Sequence, residues 1–278
     1  MLSSLSAVRT KLRTPTYPVN AVFPLSWLKT SVTIKAAGNS VMFTAPIHYP
    51  KVPAASREIL AKGDVLEYGY SDDIPKEVVE PIIESWNAFA RTWSFNAPWW
   101  GGSVAQISMA IEIVKPKRLK ESADLLSYPA LKYAAAEYIE ANYHHIYVNN
   151  ERLTLYSGPE QWAVGHSKNS PYISVSMLRQ GGHTREILNF FPLDRERLLC
   201  FGFNLYRGGK AASEQEVEKQ IPAAPMIKLI NDLMSSVEIH RKGDNESEAG
   251  FSDEKFIEEA KANPLTTDKP ESFSQHAS

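Results

Sequence analysis

The sequence predicts an α+β fold: an antiparallel β-meander packed by amphipathic helices, followed by a disordered acidic C-terminal tail. Three observations lead there. Residues 145–205 hold successive short strand-like runs separated by turn signals, the pattern of an antiparallel meander. Met226, Ile227, Ile230, Leu233, Met234 and Val237 form an apolar stripe at helical spacing behind Pro225, a proline suited to a first turn. From Lys242 onward apolar content collapses and acids, Ser, Asn and Pro dominate, so that segment buries too little to offset its ordering entropy.

Taken in order, residues 31–36 and 40–44 read as strands around a Gly38-Asn39 turn. Residues 65–68 read as a third short strand. Asp72, Asp73, Ile74 and Pro75 look like a helix entry. Val79, Ile82, Ile83, Trp86, Phe89, Ala90 and Trp93 then recur at helical spacing, with a break expected at Pro81. Residues 107–114 alternate as a strand ended by Pro116. Residues 117–143 read as two helical pieces split at Pro129, the second with Leu131, Ala134, Ala135, Tyr138 and Ile139 on one face.

In the meander, residues 145–148 and 152–156 flank Asn149-Asn150-Glu151, and residues 172–178 and 186–191 flank Gly181-Gly182. A last strand points Leu199, Phe201, Phe203 and Leu205 one way and Leu198, Cys200, Gly202 and Asn204 the other. Residues 207–224 read as a polar loop. A short helix around Asp253 to Ala262 interrupts the tail. The organisation expected is a flexible basic N-terminus over 1–17, a globular domain over 18–241 that divides, if at all, into 18–115 and 116–241, and the tail over 242–278.

Charge is ordered along the chain. The first 57 residues carry seven basic side chains and no acid, whereas the last 37 carry nine acids against four lysines. Net charge is −2, so nothing global attracts nucleic acid, and the sparse basic start lacks the interleaved aromatics of a nucleic-acid reader. The basic start meeting the acidic tail or an acidic protein partner is a reading at least as good. A single cysteine excludes an internal disulfide and fits a reducing compartment. No apolar run is long enough to span a bilayer. The expected location is cytoplasmic, with an organellar alternative because residues 1–13 are basic, Ser-rich and acid-free.

Four of the six tryptophans lie between Trp86 and Gly102. Trp86 and Trp93 read as core on a helix. Trp99 and Trp100, adjacent and followed by two glycines, cannot easily share one core and are the leading candidates for an interaction surface. Lys29, Lys35 and Arg57, with Lys51, are the basic residues such a surface would add. His144 and His145 have no further ligand at metal spacing, so neither a metal nor a cofactor is expected. There is no nucleophile elbow, Walker motif or dinucleotide fingerprint. Arg207-Gly208-Gly209-Lys210 suits an anion or a plain loop, and Cys200 reads as a buried small hydrophobe.

The layout closing on residues 226–239 resembles that of small α+β domains such as those of the extrinsic photosystem II proteins. No residue role follows from that likeness. The function expected is therefore non-catalytic: a protein-binding module, of the inhibitor or immunity type, with a protein partner. The rival is an enzyme whose pocket lies between the helical segment and the meander, using Glu160, His166, Tyr172 and His183.

Overall fold

The computed structural model describes residues 21, 23, 27–50, 58–68, 83–97, 102–119, 123–143, 146–148, 151–153, 156–179, 184–208, 213–242 and 252–262. The fold is α+β and its sheets are antiparallel throughout the named strands. Seven strands form the main sheet in the order β3 (Ile59–Leu60), β4 (Ile83–Asn96), β5 (Ser103–Pro116), β11 (Leu198–Arg207), β10 (Thr184–Pro192), β9 (Pro171–Arg179) and β8 (Tyr156–His166). Of the strands expected over 145–205, those at 172–178, 186–191 and 198–205 are β9, β10 and β11; those at 145–148 and 152–156 do not join this sheet but pair apart from it, and β8 was not expected. A smaller sheet joins β1 (Lys29–Ala36), β2 (Asn39–Pro46) and β12 (Glu238–His240), and β6 (Ile146–Val148) pairs with β7 (Glu151–Leu153). The helices are α1 (Val65–Tyr68), α2 (Tyr128–Tyr143), α3 (Glu214–Gln220), α4 (Ala224–Met234) and α5 (Asp253–Ala262).

Strand alternation gives the main sheet two faces, each with its own core. The front face carries Phe89, Trp93, Phe95, Ile107, Ile111, Phe191, Leu199, Phe201 and Phe203. The small sheet and the apolar stripe of α4 close over it, with Val41, Phe43, Ile230 and Leu233 buried. The back face carries Val114, Ile173, Val175, Leu188, Phe190, Leu198 and Cys200, covered by α2 through Leu131, Ala135 and Tyr138 and by Phe256 of α5. The split of β11 into two opposed sets of side chains is the one its alternation predicts.

The helix expected over 79–93 is a strand from Ile83 onward. In β4 a bulge shifts the pairing between Asn87 and Phe89, so Trp86, Phe89, Arg91, Trp93 and Phe95 all lie opposite alternate residues of β5 from Ile113 to Ala105. The extra residue lengthens one front-face step from two to three. That step, followed by Trp93 four residues on, reproduces helical spacing in a strand. Trp93 is core as expected, and its indole Nε1 donates to the Pro46 carbonyl at 3.1 Å.

Other boundaries move for local reasons. Residues 65–68 are α1, not a strand, because the Asp64 carboxylate accepts from the Leu66 N–H at 3.0 Å and opens a helical turn. The β1–β2 turn is Ala37-Gly38, both with positive φ (52° and 79°), as a two-residue hairpin loop requires; Asn39 already belongs to β2. Pro129 occupies the first turn of α2, and no helix precedes it within the described part of 117–127. The loop expected over 207–224 contains α3, capped where Ser213 Oγ accepts from the Glu216 N–H at 3.3 Å.

The short helix read at Asp253 to Ala262 is α5. Phe256 packs edge-on against Tyr128 at 5.4 Å, and Glu259 accepts from the Tyr128 N–H at 3.0 Å, filling one of the open donors at the start of α2. Residues 1–20 and most of the remaining tail lie outside the described residues.

Between β8 and β9, the Tyr172 ring lies across Gly165: a Cβ on Gly165 would stand 2.2 Å from Tyr172 Cζ. The same ring packs on Phe191 at 4.8 Å. Gly165→Ala must displace it, and we expect a loss of about 1–2 kcal/mol in chemical denaturation. Truncating Tyr172 in the same chain should shrink the effect of Gly165→Ala toward zero; equal effects in both backgrounds would refute the steric account.

Candidate functional site

The back face is not wholly covered. Where β4, β5, β11 and β10 run side by side, three rows of residues cross the sheet. Asn87, Glu112, Cys200 and Phe190 form the first; Ala90, Ala110, Gly202 and Leu188 the second; Thr92, Ser108, Asn204 and Glu186 the third. The middle row contributes two alanines and a glycine, so the sheet is hollow between two rows of larger, mostly polar side chains. The C-terminal half of α2 passes over this trough with Tyr138 and Tyr143. Together they enclose a cavity of about 380 Å³, within the usual range for small-molecule sites.

Two carboxyl groups line it. Glu112 accepts a hydrogen bond from the Tyr138 hydroxyl at 3.1 Å. Glu186, only 6% exposed, accepts from the Tyr156 hydroxyl at 3.1 Å and from Asn204 Nδ2, both at Oε1. Its Oε2 meets no protein donor among the described residues. Burial raises the Glu186 carboxyl to about 7; the bonds from Asn204 and Tyr156 and the charge of Arg179 pull the other way and lose. Burial also raises Tyr143, with Glu186, Cys200, Glu112 and Tyr156 adding to it, and lifts Tyr138 and the Cys200 thiol well above their ordinary ranges. These groups are neutral at physiological pH, and Cys200 is a buried hydrophobe, not a nucleophile.

The tyrosines form a continuous wall. Tyr138 lies 6.3 Å from Tyr143, and Tyr143 stands edge-on to Tyr156 at 5.3 Å. The wall thus has a hydrogen-bonded carboxyl at each end, Glu112 through Tyr138 and Glu186 through Tyr156. Among the described residues that line the cavity there is no Lys, Arg or His. Among the described residues, no group of three or more His, Cys, Asp and Glu stands close enough to hold a metal ion.

The residues singled out from sequence are placed elsewhere. Trp99, Trp100, Arg57, Lys51 and His183 lie outside the described residues. Lys29 and Lys35 project from the same exposed face of β1 but stand six residues, about 20 Å, apart. Glu160 lies in β8 where its pairing with β9 is irregular. His166 and Tyr172 occupy opposite faces, since His166 pairs with Pro171 on the back and Tyr172 with Gly165 on the front. His166 instead latches α5, with Nε2 2.9 Å from Asp253 and Nδ1 2.6 Å from the Ser167 carbonyl. Arg207, weighed as an anion ligand, is 2% exposed and committed to Glu214, Glu218 and the Ile221 carbonyl.

No protein-family model matches this chain, and no curated protein is similar to it in sequence. No helix among the described residues is long and apolar enough to cross a membrane. Glu112, Glu186 and the three tyrosines were not singled out from sequence. Their one signal was the run of small and polar residues on the back-face positions of β5 and β11, which acquires meaning only once the strand register is known.

Proposed function

We propose that the protein binds a small molecule in the back-face cavity between α2 and the main sheet. The observation that carries this reading is Glu186: a desolvated carboxyl that lines the cavity, with both of its hydrogen-bond donors on one oxygen. A buried carboxyl raised toward neutrality costs stability, and such groups concentrate at functional sites. None of Glu160, His166, Tyr172 and His183, the residues expected for the rival pocket, is among the described residues that line this cavity. The same carboxyl is suited to accepting or donating a proton near pH 7, so a bound substrate with an exchangeable proton nearby would meet a general acid or base.

The protein-binding reading keeps one supporting observation. Ile59 and Leu60, 47% and 48% exposed, form the edge strand β3, which offers backbone groups and apolar side chains to another chain. It competes less well because it has no concave surface or committed polar group.

The test is a thermal-shift screen against small polar metabolites with the wild type and Ala110→Leu. Ala110 sits in the hollow middle row, and a leucine there occupies the trough while leaving both carboxyl residues in the chain. We expect at least one compound to raise the wild-type Tm by several degrees and to leave the variant unmoved. No stabilising compound, or equal stabilisation of both proteins, would contradict the assignment.

A further inference from the structure

The last helix is fastened by few groups. Of the ten residues of α5, Phe256 alone is buried, and Glu259 accepts from the Tyr128 N–H. A helix this short is marginal by itself in water, so α5 persists because it docks. Its first turn is held through His166, at the end of β8. Nδ1 of that ring stands 2.6 Å from the Ser167 carbonyl oxygen, and Nε2 stands 2.9 Å from the Asp253 carboxylate. The carbonyl belongs to a turn over 167–170 in which the N–H and the hydroxyl of Ser167 both donate to the Ser170 carbonyl, at 2.9 and 2.8 Å. Neither a carbonyl nor a carboxylate can donate. A neutral imidazole has one N–H, so in either tautomer one ring nitrogen would turn a lone pair toward an oxygen. The doubly protonated ring satisfies both contacts, and its charge matches an ionised Asp253, which the start of a helix favours.

We propose that His166 is a pH-sensitive clasp: protonated, it fastens α5 to the end of β8, and on losing a proton it loosens that helix from the start of α2. Undocking withdraws Phe256 from Tyr128 and removes the Glu259 carboxylate from the Tyr128 N–H. None of His166, Asp253 and Phe256 is among the described residues that line the back-face cavity, so the clasp holds whether or not that cavity binds a ligand.

The direction follows from the contacts. Among the described residues, Asp253 is the ionisable group that α5 sets against the ring; β9 places Pro171 opposite it, and Lys168, in the turn, is paired with Glu238 of β12. Histidine changes charge between about pH 5 and 8, whereas an Asp carboxylate is ionised throughout that range. Docking is therefore strongest near pH 6 and weakens toward pH 8. Both side chains of the pair are partly open to water, which limits the effect to a few-fold change in the docking equilibrium.

The test is amide hydrogen exchange of the full chain by NMR, read at Tyr128 and along α5 and corrected for the intrinsic pH dependence of exchange. We expect protection of these amides to fall about threefold or more from pH 6 to pH 8 in the wild type. His166→Gln has no proton to lose and should show no such fall. Asp253→Asn should show none either, because an asparagine amide can donate to Nε2 of a neutral ring while Nδ1–H still serves the Ser167 carbonyl. Glu186 also changes state near neutrality, and His240 faces Glu238 at 3.4 Å. Both pairs of groups remain in the two variants, so a response arising from either would survive there. Long-range 1H–15N spectra should show protons on both His166 ring nitrogens at pH 6. Protection unchanged between pH 6 and 8, the same fall in the wild type and both variants, or a singly protonated His166 at pH 6 with α5 docked would overturn the proposal.

Discussion

Glu186→Gln is expected to stabilise the protein at pH 8 while removing its ligand. The Glu186 carboxyl rises from its ordinary 4.5 to about 7 because burial opposes its charge. The folded state therefore holds this proton more tightly than the unfolded chain does. The contribution is most favourable to folding below about pH 4.5, declines as pH rises, and is fully lost above about pH 7. The change corresponds to about 3 kcal/mol. Glutamine carries no charge and keeps an acceptor for Tyr156 and Asn204, so it avoids the loss. The stability of the variant minus that of the wild type, from urea unfolding, should become more favourable by about 3 kcal/mol between pH 4.5 and pH 8. A difference independent of pH would show that Glu186 is not desolvated. A carboxyl whose neutral isostere is more stable is what a binding site retained at the expense of stability looks like.

The second large effect belongs to Phe43→Ala. Phe43, 2% exposed, projects from β2 into the front-face core and meets Phe89 at 5.4 Å and Phe201 at 5.7 Å, both edge-on. Phe201 in turn packs on Phe191. One ring thus joins the small sheet to β4, β11 and β10. Removing it leaves a cavity between two sheets whose strands are held by their own ladders and cannot collapse onto it. A loss of about 3–5 kcal/mol is expected in guanidinium unfolding, against under 1.5 kcal/mol for Phe43→Leu. A loss below about 1 kcal/mol for the alanine variant would mean that the small sheet is not anchored through this ring.

How much of this was legible in the sequence depends on the kind of signal. The meander was, because β9, β10 and β11 alternate cleanly and their turns are short. The stripe of α4 was legible for the same reason: one strong period and a proline at its start. β4 was not. Its bulge makes Trp86, Phe89 and Trp93 step by three and then four, and a one-residue irregularity in a strand is indistinguishable by spacing from a helix. The capping pair Ser213 and Glu216 did announce α3, but α3 is polar around most of its surface and buries only Val217, so no apolar stripe drew attention to it.

The cavity was least legible of all. Glu112, Glu186, Asn204 and Ser108 are scattered over almost a hundred residues, and each alone reads as an ordinary strand residue. They meet because β11 sits between β5 and β10, a pairing between strands distant in sequence. The two alanines and the glycine that hollow the floor come from three strands. Register, not composition, makes the site.

The central claim is that Glu186 is a desolvated carboxyl presented to a ligand cavity. It is tested most directly by following its side-chain carboxyl carbon by NMR through a pH titration, with Glu186→Gln assigning the signal. The account predicts a midpoint near 7 in the free protein. A midpoint near the ordinary 4.5 in the free protein would contradict it.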